Sequence, residues 1–244
     1  MEMIVLGSSS KGNGYIFKHK DSCIIIDAGV PLKEVKKALD FNLEPIEGLL
    51  LTHSHQDHCK YIEEYVRAGI PVYGHETTMT QLQLTHHPNF GVNALQYYRV
   101  GEWHFKAFEV VHDVACLGYM VINPSHHSFC FVTDTHYCPY KFKDLQNIII
   151  ECNYSDEILE ARGIRGSLPS VVQNRVVQSH MSLETCKKFL QSCDLTHVNN
   201  IVLIHLSDGN SDAEYFKSEI SNLTGKTVHV ADKGMTIHLG ATPY

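Results

Sequence analysis

The sequence predicts an α/β protein with a single domain over residues 1–244. A chain of 244 residues is long enough to bury one sizeable core. Its first part is dominated by hairpin-like strand patterns, and its later part alternates strand patterns with helical ones. No internal repeat, low-complexity tract or linker-like run of Pro, Gly and Ser divides the chain. These three observations together favour one mixed domain.

Short apolar segments predict the strands, because they are rich in β-branched and aromatic residues and are bounded by Gly, Pro, Asn and Asp. They lie at about 3–6, 14–18, 22–27, 47–52, 71–74, 105–111, 117–123, 128–133, 147–151, 200–204, 227–230 and 235–239. Apolar spacings of three and four predict helices at 31–39, 59–69, 182–193 and 211–221. The segment 154–181 is the least regular, and we expect it to form a mobile or substrate-facing insertion.

The composition indicates a soluble globular protein, with 43% apolar and 19% charged residues. Its apolar runs are far shorter than the ~20 residues of a membrane span. The N-terminal segment MEMIVLGSSS carries an acidic residue and enters a predicted strand directly, so we expect a cytoplasmic location. The eight cysteines include no CxxC pair, which predicts free thiols. A net charge of −7 predicts no general basic surface for nucleic acid.

One short turn concentrates metal-binding side chains. In LLLTHSHQDHCKYIEEYV, residues 49–66, His53, His55, Asp57 and His58 follow a predicted strand and precede a predicted helix. Alternation along extended chain directs His53 and His55 to the same side. Imidazoles suit zinc and similar cations, and the carboxylate supplies an anionic oxygen for a second ion. The turn therefore predicts a metal centre.

Three further polar residues end apolar runs later in the chain. His112 ends FEVVHD, Asp134 lies in FCFVTDT, and His205 lies in NIVLIHLS. Strand ends of an α/β scaffold are where functional groups are held on rigid supports. Each residue alone has a second interpretation as an ordinary strand-end polar group. Together with the HxHxDH turn they complete a candidate set for two ions.

These residues resemble the metallo-β-lactamase superfamily, whose ordered pattern of Asp, HxHxDH, His, Asp and His is matched along nearly the whole chain. The resemblance implies an αββα four-layer sandwich with both ions at one edge of the two sheets. It implies that one ion is held by His53, His55 and His112, that the other is held by Asp57, His58 and His205, and that Asp134 bridges them. It also implies that Asp27 orients a ligand histidine. Zn²⁺ is the expected cofactor, with Mn²⁺ as the alternative.

Further segments resemble the YycJ-type (WalJ) branch, which comprises DNA exonucleases. They are GSSSKGN, VVHDVACLGY, IIIECNYSDEIL and LPSVVQNRVVQSHMSLE. The segment around His180 is also similar to the tRNA 3′-processing endonucleases, where a histidine contacts the scissile phosphate. The resemblance implies that His180 is a general acid, with Glu151 as its orienting partner. Asp57 completes the predicted catalytic set. A helix-entry histidine without catalytic role is the alternative for His180.

The turn SSSKGNG is a candidate phosphate site, in which Ser8, Ser9 and Lys11 would meet the substrate; a plain hairpin turn is the alternative. We therefore expect a dinuclear metal-dependent phosphodiesterase, a DNA exonuclease, with a hydroxide bridging the two ions as nucleophile. The expected partner is DNA or a nucleotide substrate, with no membrane. One alternative is a phosphodiesterase of small or cyclic nucleotides. Another, of a different class, is a metal-binding sensor without catalysis.

Overall fold

The strands of the protein form two mixed sheets in a computed structural model that describes residues 1–85, 90–161 and 179–240. Each sheet has seven strands among these residues. The first sheet has the order β14-β1-β2-β3-β4-β5-β6 and contains β1 (Glu2–Ser9), β2 (Gly12–His19), β3 (Ser22–Ile26), β4 (Ile46–Leu51), β5 (Val72–His75), β6 (Phe90–Val92) and β14 (Thr236–His238).

The second sheet has the order β13-β12-β11-β10-β9-β8-β7. It contains β7 (Tyr97–Val100), β8 (Trp103–Glu109), β9 (Leu117–Ile122), β10 (Ser128–Val132), β11 (Asn147–Glu151), β12 (Asn200–Ile204) and β13 (Thr227–Val230). In each sheet an antiparallel part adjoins a parallel part. The parallel strands run from β3 to β6 in the first sheet and from β10 to β13 in the second.

Alternating side chains explain why the sheets stack face to face. Ile24 and Ile26 of β3 enter the core between the sheets, together with Phe129 of β10 and Val202 of β12. The ring centroids of Phe17 and Phe129, from opposite sheets, lie 4.2 Å apart in a stacked arrangement. Because successive residues of a strand point to opposite faces, their neighbours must be buried on the outer face of each sheet.

Helices cover those outer faces. They are α1 (Leu32–Ala38), α2 (Gln56–Cys59), α3 (Ile62–Arg67), α4 (Glu76–Gln81), α5 (Asp156–Ala161), α6 (Leu183–Ser192) and α7 (Ala213–Thr224). Val35 of α1 and Tyr65 of α3 pack with Ile25 on the first sheet. Leu190 of α6 and Phe216 of α7 pack on the second sheet. The αββα sandwich implied by the resemblance is confirmed.

The structure differs from the predicted elements in several places. The strands β6 and β7 and the helices α4 and α5 were not predicted. The predicted helix 59–69 is divided, because Tyr61 between α2 and α3 departs from helical geometry at φ −108° and ψ 14°. In the predicted insertion 154–181, Asp156–Ala161 forms α5, and residues 162–178, which include the motif segment LPSVVQNRVVQ, lie outside the described residues.

Two composition-based predictions can be compared directly with the structure. All eight cysteines carry free thiols, as predicted. Within residues 1–85, 90–161 and 179–240, no helix combines the length and apolar character needed to cross a membrane.

Candidate metal centre

The candidate centre lies where parallel strands of both sheets end. Asp27 directly follows β3, and His53 lies two residues beyond β4. In the second sheet, Asp134 lies two residues beyond β10, Glu151 is the last residue of β11, and His205 directly follows β12. The carboxyl ends of parallel strands share one edge of a sheet, so these groups meet at one edge of the sandwich.

The backbone is constrained at three of these strand ends. Asp27, Asp134 and His205 adopt positive φ angles of 64°, 47° and 56°. Residues with a Cβ atom rarely adopt this left-handed conformation, and surrounding contacts must hold them there. The conformation turns each chain sharply as it leaves its strand, which brings the polar side chains into the space between the sheet edges.

The first candidate cluster contains His53, His55 and His112, whose potential ligand atoms lie within 4.8 Å of one another. The Nδ1 atom of His53 lies 3.0 Å from Thr52 Oγ1, and His112 Nδ1 lies 3.2 Å from the Ser179 carbonyl oxygen. A carbonyl oxygen can only accept, so His112 carries its proton on Nδ1 and keeps a lone pair on Nε2. That Nε2 atom lies 3.1 Å from His55 Nδ1.

The second candidate cluster contains Asp57, His58 and His205. His58 Nδ1 donates to Asp27 Oδ2 over 2.7 Å, a contact compatible with the orienting role that the resemblance implies for Asp27. Asp57 Oδ2 lies 3.4 Å from His58 Nε2 and 3.5 Å from His205 Nε2. The carboxylate of Asp27 is itself fixed, because it accepts from the Thr52 backbone N–H over 2.9 Å. Each histidine of the cluster thus directs Nε2 toward Asp57.

Asp134 lies between the two clusters. Its Oδ2 atom is 2.8 Å from His58 Nε2, and its Oδ1 atom is 3.4 Å from His205 Nδ1. It also forms a potential ligand group with His53 and His58, which links it to the first cluster. The side chain is only 3% exposed. This position is compatible with the bridging role that the resemblance implies.

Two buried histidine nitrogens without hydrogen-bond partners indicate whether metal ions fit these residues. His53 Nε2 and His205 Nε2 are buried without a hydrogen-bond partner among the described residues. A buried polar atom without a partner is costly, and such atoms in native proteins need an explanation. Both nitrogens face other imidazole and carboxylate groups, and this donor set suits Zn²⁺ or Mn²⁺. The residues therefore fit a metal centre.

The charges of the centre also favour cations. Burial lowers the pKa of His53 well below its usual value, so this imidazole is neutral and able to ligate. Burial disfavours the charged form of Asp134, but His205 and His58 outweigh it and lower the pKa of this carboxyl well below its usual range. Burial also disfavours the charged form of His58, but Asp134 and Asp27 outweigh it and raise its pKa well above the usual value. Metal binding by His58 must therefore release a proton.

His180 and Glu151 form a second polar unit beside the ligand clusters. His180 Nδ1 donates to Glu151 Oε1 over 2.7 Å and lies 3.2 Å from Asp134 Oδ1. Glu151 is fully buried, and its Oε2 atom accepts from the Thr135 and Met181 backbone N–H groups. Burial disfavours the imidazolium of His180, but Glu151 and Asp134 outweigh it and raise its pKa to about 11. His180 is therefore held in its protonated form at neutral pH.

Comparison with known proteins identifies the family. Residues 10–133, more than half of the chain, match the family model described as "Metallo-beta-lactamase superfamily". The chain belongs to the metallo-β-lactamase superfamily. The predicted class of metal-dependent hydrolase is thereby confirmed.

Individual members of the superfamily are similar along most of the chain. The exodeoxyribonuclease YycJ of Bacillus anthracis is 24% identical over 251 residues, which cover 96% of this chain and 93% of that protein. The exodeoxyribonuclease WalJ of Streptococcus pneumoniae serotype 2 is 24% identical over 86% of this chain and 83% of that protein. The crystal structure of the metallo-β-lactamase fold protein YhfI from Bacillus subtilis has a TM-score of 0.71 at 16% identity and covers 97% of this chain and 98% of that chain.

The predicted phosphate-site residues line a different cavity of this metallo-β-lactamase fold from the one that contains the candidate ligands. A cavity of about 420 Å³ contains the candidate ligands, and Ser10 lines it. Ser8, Ser9 and Lys11 line a neighbouring cavity of about 820 Å³. The Ser8 hydroxyl accepts from the His205 backbone N–H over 2.9 Å, and Lys11 Nζ pairs with Asp208 over 2.9 Å. The turn between β1 and β2 thus separates the two cavities and supports a candidate ligand.

Sequence reasoning missed several residues of the centre. Asn13 places Nδ2 3.0 Å from His58 Nε2 and 3.3 Å from Asp57 Oδ2. Thr52 joins Asp27 to His53, and Asp113 lies 3.2 Å from His55 Nε2. Ser10 and Asn13 belong to GSSSKGN, and Asp113 to VVHDVACLGY, so the branch motifs already contained three of them. Thr52 directly precedes the HxHxDH turn, which was its only signal.

Gly29 permits the close approach that brings α2 to the centre. A Cβ atom at this position would overlap the Asp57 carbonyl oxygen and would lie 2.6 Å from the Asn13 nitrogen. Both obstacles are backbone atoms, which cannot rotate away. Gly29→Ala is expected to destabilise the protein by about 1–3 kcal/mol, the usual cost of overpacking. Urea unfolding of the metal-loaded protein measures this change.

The matched control is Gly240→Ala, because no described residue lies within 4 Å of a Cβ atom built at that position. Equal stability of the Gly29→Ala variant and the Gly240→Ala variant would contradict the packing argument.

Purified protein is expected to carry about two divalent ions per chain, since the two candidate clusters and Asp134 offer more ligands than one tetrahedral ion can use. Elemental analysis of protein that was never exposed to chelator measures the ratio. A content of one ion or none at full occupancy would contradict a dinuclear centre.

Proposed function

We propose that the chain is a dinuclear metal-dependent phosphodiesterase that degrades DNA as an exonuclease. The observation that carries this proposal is the position of His180, which lines the same cavity as the candidate ligands and lies 3.2 Å from Asp134. A phosphodiester needs both a nucleophile and a proton for its leaving oxygen. Support for DNA as substrate comes from the two similar proteins named as exodeoxyribonucleases, which align along most of the chain.

Each residue of the centre has a proposed role in holding the ions. His53, His55 and His112 hold one ion, and Asp57, His58 and His205 hold the other, with Asp134 between them. Zn²⁺ is the proposed ion, and Mn²⁺ is the alternative that the same ligands accept. Two such ions, when bound, supply Lewis acidity and a nucleophilic water near neutral pH.

His180 is proposed to donate the proton that the leaving oxygen needs. Glu151 engages Nδ1, so Nε2 is the nitrogen available to a substrate in the cavity. The pKa of His180 is raised to about 11, where burial is outweighed by Glu151 and Asp134, so the proton is present before substrate binds. Glu151 keeps the ring in position, because its other oxygen is fixed by two backbone N–H groups. Transfer of the proton to the leaving oxygen prevents an alkoxide from forming.

Asp57 is proposed to act beside the ions as an ionised carboxylate. Burial disfavours its charge, but the contacts with His205 and His58 outweigh burial and lower its pKa below the usual range. Asn13 donates to its Oδ2 atom and restricts its rotation. The carboxylate therefore keeps one orientation and its negative charge during the reaction.

The turn between β1 and β2 is proposed to contact substrate phosphates. Lys11 and Asp208 form an ion pair whose side chains are 82% and 75% exposed, and such exposed pairs contribute little to stability. Lys11 can therefore exchange Asp208 for a phosphate at small cost. Ser9 belongs to the same turn and accepts from the Lys11 backbone N–H, and the Ser8 hydroxyl accepts from the His205 backbone N–H.

A product analysis tests the proposed function. Zn²⁺-loaded and Mn²⁺-loaded protein is incubated with end-labelled single-stranded and double-stranded DNA, circular DNA, RNA, cyclic nucleotides and a thioester. We expect release of short products from linear DNA ends and no cleavage of circular DNA. Asp134→Ala protein, purified in the same way, is the control for contaminating nuclease.

The second candidate is a phosphodiesterase of small or cyclic nucleotides. It is favoured by the net charge of −7 and by the cavity of about 420 Å³, which suits a small anionic ligand better than a long polyanion. Hydrolysis of cyclic nucleotides without digestion of DNA would replace the exonuclease proposal with this one.

A further inference from the structure

His55 differs from the other candidate ligand histidines in which ring nitrogen points outward. In the others this nitrogen is Nδ1, and in His55 it is Nε2. In each of the others, one ring nitrogen contacts a protein group and the second faces the centre. The outward partners are Thr52 for His53, Asp27 for His58, the Ser179 carbonyl for His112 and Glu151 for His205. For His55 the outward nitrogen is Nε2, because Nδ1 lies 3.1 Å from His112 Nε2 inside the cluster.

The partner of that outward nitrogen is a carboxylate to which no role has yet been given. Asp113 Oδ1 lies 3.2 Å from His55 Nε2. His55 belongs to the turn after β4 in the first sheet, whereas Asp113 belongs to the loop between β8 and β9 in the second sheet. The contact therefore joins the two sheets at the mouth of the cavity, which both residues line.

We propose that Asp113 is a positioning residue for the ion of the His53–His55–His112 cluster. Asp113 accepts the Nε2 proton of His55, which fixes the tautomer that leaves the Nδ1 lone pair for the ion. A carboxylate in this position also increases the basicity of the ligand nitrogen. The inference rests on the dinuclear centre of the proposed function but does not depend on the substrate.

A second contact of the same oxygen supports a cation at this place. Asp113 Oδ1 also lies 3.2 Å from His112 Nε2. Because His112 Nδ1 donates to the Ser179 carbonyl, Nε2 has a lone pair that faces the negatively charged oxygen. Two acceptors at this separation repel each other unless a cation lies next to both. A bound ion removes this repulsion, so Asp113 and the ion stabilise each other.

The exposure of the Asp113 side chain determines how much metal affinity its removal should cost. Loss of an outer partner of a metal-ligating histidine typically costs about 10–100-fold in metal affinity. The Asp113 side chain is 45% exposed, whereas Asp27, the partner of His58, is fully buried. Water can partly replace an exposed carboxylate, so Asp113→Ala is expected to weaken one ion by about 10-fold, the lower end of that range.

A chelator titration of the full chain loaded with Zn²⁺ tests the proposal. Zinc content is measured at increasing chelator concentration for wild type, Asp113→Ala and Asp113→Asn. We expect Asp113→Ala to lose one ion early and to keep the other at the wild-type concentration. Asparagine can still accept the His55 proton, so Asp113→Asn should retain more zinc than Asp113→Ala.

Glu109→Ala is the matched control, because Glu109 is an exposed carboxylate at the end of β8 that faces His75 outside the centre. It removes the same charge and should leave the titration unchanged. Unchanged titration of Asp113→Ala, equal weakening of both ions, or the same shift in Glu109→Ala would each overturn the proposal.

A double variant shows whether Asp113 acts through His55. In a His55→Ala background, Asp113→Ala should cause a smaller loss of zinc than in wild type, because the contact with His55 is already absent and only the contact with His112 remains. Additive losses would overturn the assignment. Zinc affinity is measured without any substrate, so this result stands or falls separately from the DNA assay. Wild-type protein that binds two ions and digests DNA would keep the proposed function even if Asp113 proved irrelevant.

Discussion

Replacement of Asp134 by alanine is expected to abolish hydrolysis and to weaken the binding of both ions. The carboxylate lies 2.8 Å from His58 Nε2 and 3.4 Å from His205 Nδ1, and it shares a potential ligand group with His53. Its removal leaves two cations and several imidazoles without the buried negative charge that separates them. Zinc content and phosphodiester hydrolysis are measured on the same preparation, with circular dichroism to check the fold.

His58→Ala is the comparison for this variant. Because His58 belongs to the second cluster, its loss should weaken one ion preferentially, whereas Asp134→Ala should weaken both. Hydrolysis by Asp134→Ala at the wild-type rate would remove this residue from the mechanism.

Replacement of His180 by alanine is expected to separate proton transfer from metal binding. The variant should keep its zinc and its fold but lose about 10²-fold or more in kcat on a nucleotide ester, the usual scale for a positioned acid. His180 contacts Glu151 and Asp134 through Nδ1 and lines the cavity, and it belongs to neither proposed ligand set. His104→Ala is the control, because His104 is exposed on β8 away from the centre.

The leaving group distinguishes two roles for His180. The nitrophenolate of a nitrophenyl phosphodiester leaves with little need for a proton. If His180 acts as an acid, the variant should therefore recover activity on this substrate. If His180 instead stabilises charge on the phosphate, the variant should lose a similar factor in hydrolysis rate on both substrates. If the variant hydrolyses both substrates at the wild-type rate and keeps its zinc, His180 has no catalytic role and is only a residue that precedes a helix.

The sequence was most informative where functional groups are close together in the chain. His53, His55, Asp57 and His58 fall within six positions, and the strand before them is a continuous apolar run. Asp27 was assigned by the resemblance to the superfamily, and a carboxylate that closes a run of three isoleucines is costly to bury without a partner. The partner itself, His58, lies 31 positions away and was identified only by the structure.

Contacts between distant turns were beyond the reach of sequence patterns. Asp113 and Asn13 lie within the branch motifs, but the motifs do not show which residues they contact, since the contacts join turns that are far apart in the chain. Two edge strands were missed for another reason. The strands β7 and β6 have only four and three residues, too few to show the alternation that marks a half-buried strand. Backbone pairing with β8 and β5 forms them instead.

The candidate ligands come from both sheets, and this makes folding and metal supply thermodynamically linked. His53, His55 and His58 extend from the first sheet, whereas His112, Asp134 and His205 extend from the second. An ion held by these groups would fasten the sheets together and would bind only the assembled sandwich. Free metal at 100 times its dissociation constant would add about 2.7 kcal/mol per site to the free energy of unfolding. The folded fraction, and with it resistance to proteolysis, should therefore follow the free-metal concentration around the protein, so that the same ions that support hydrolysis also set how long the chain survives.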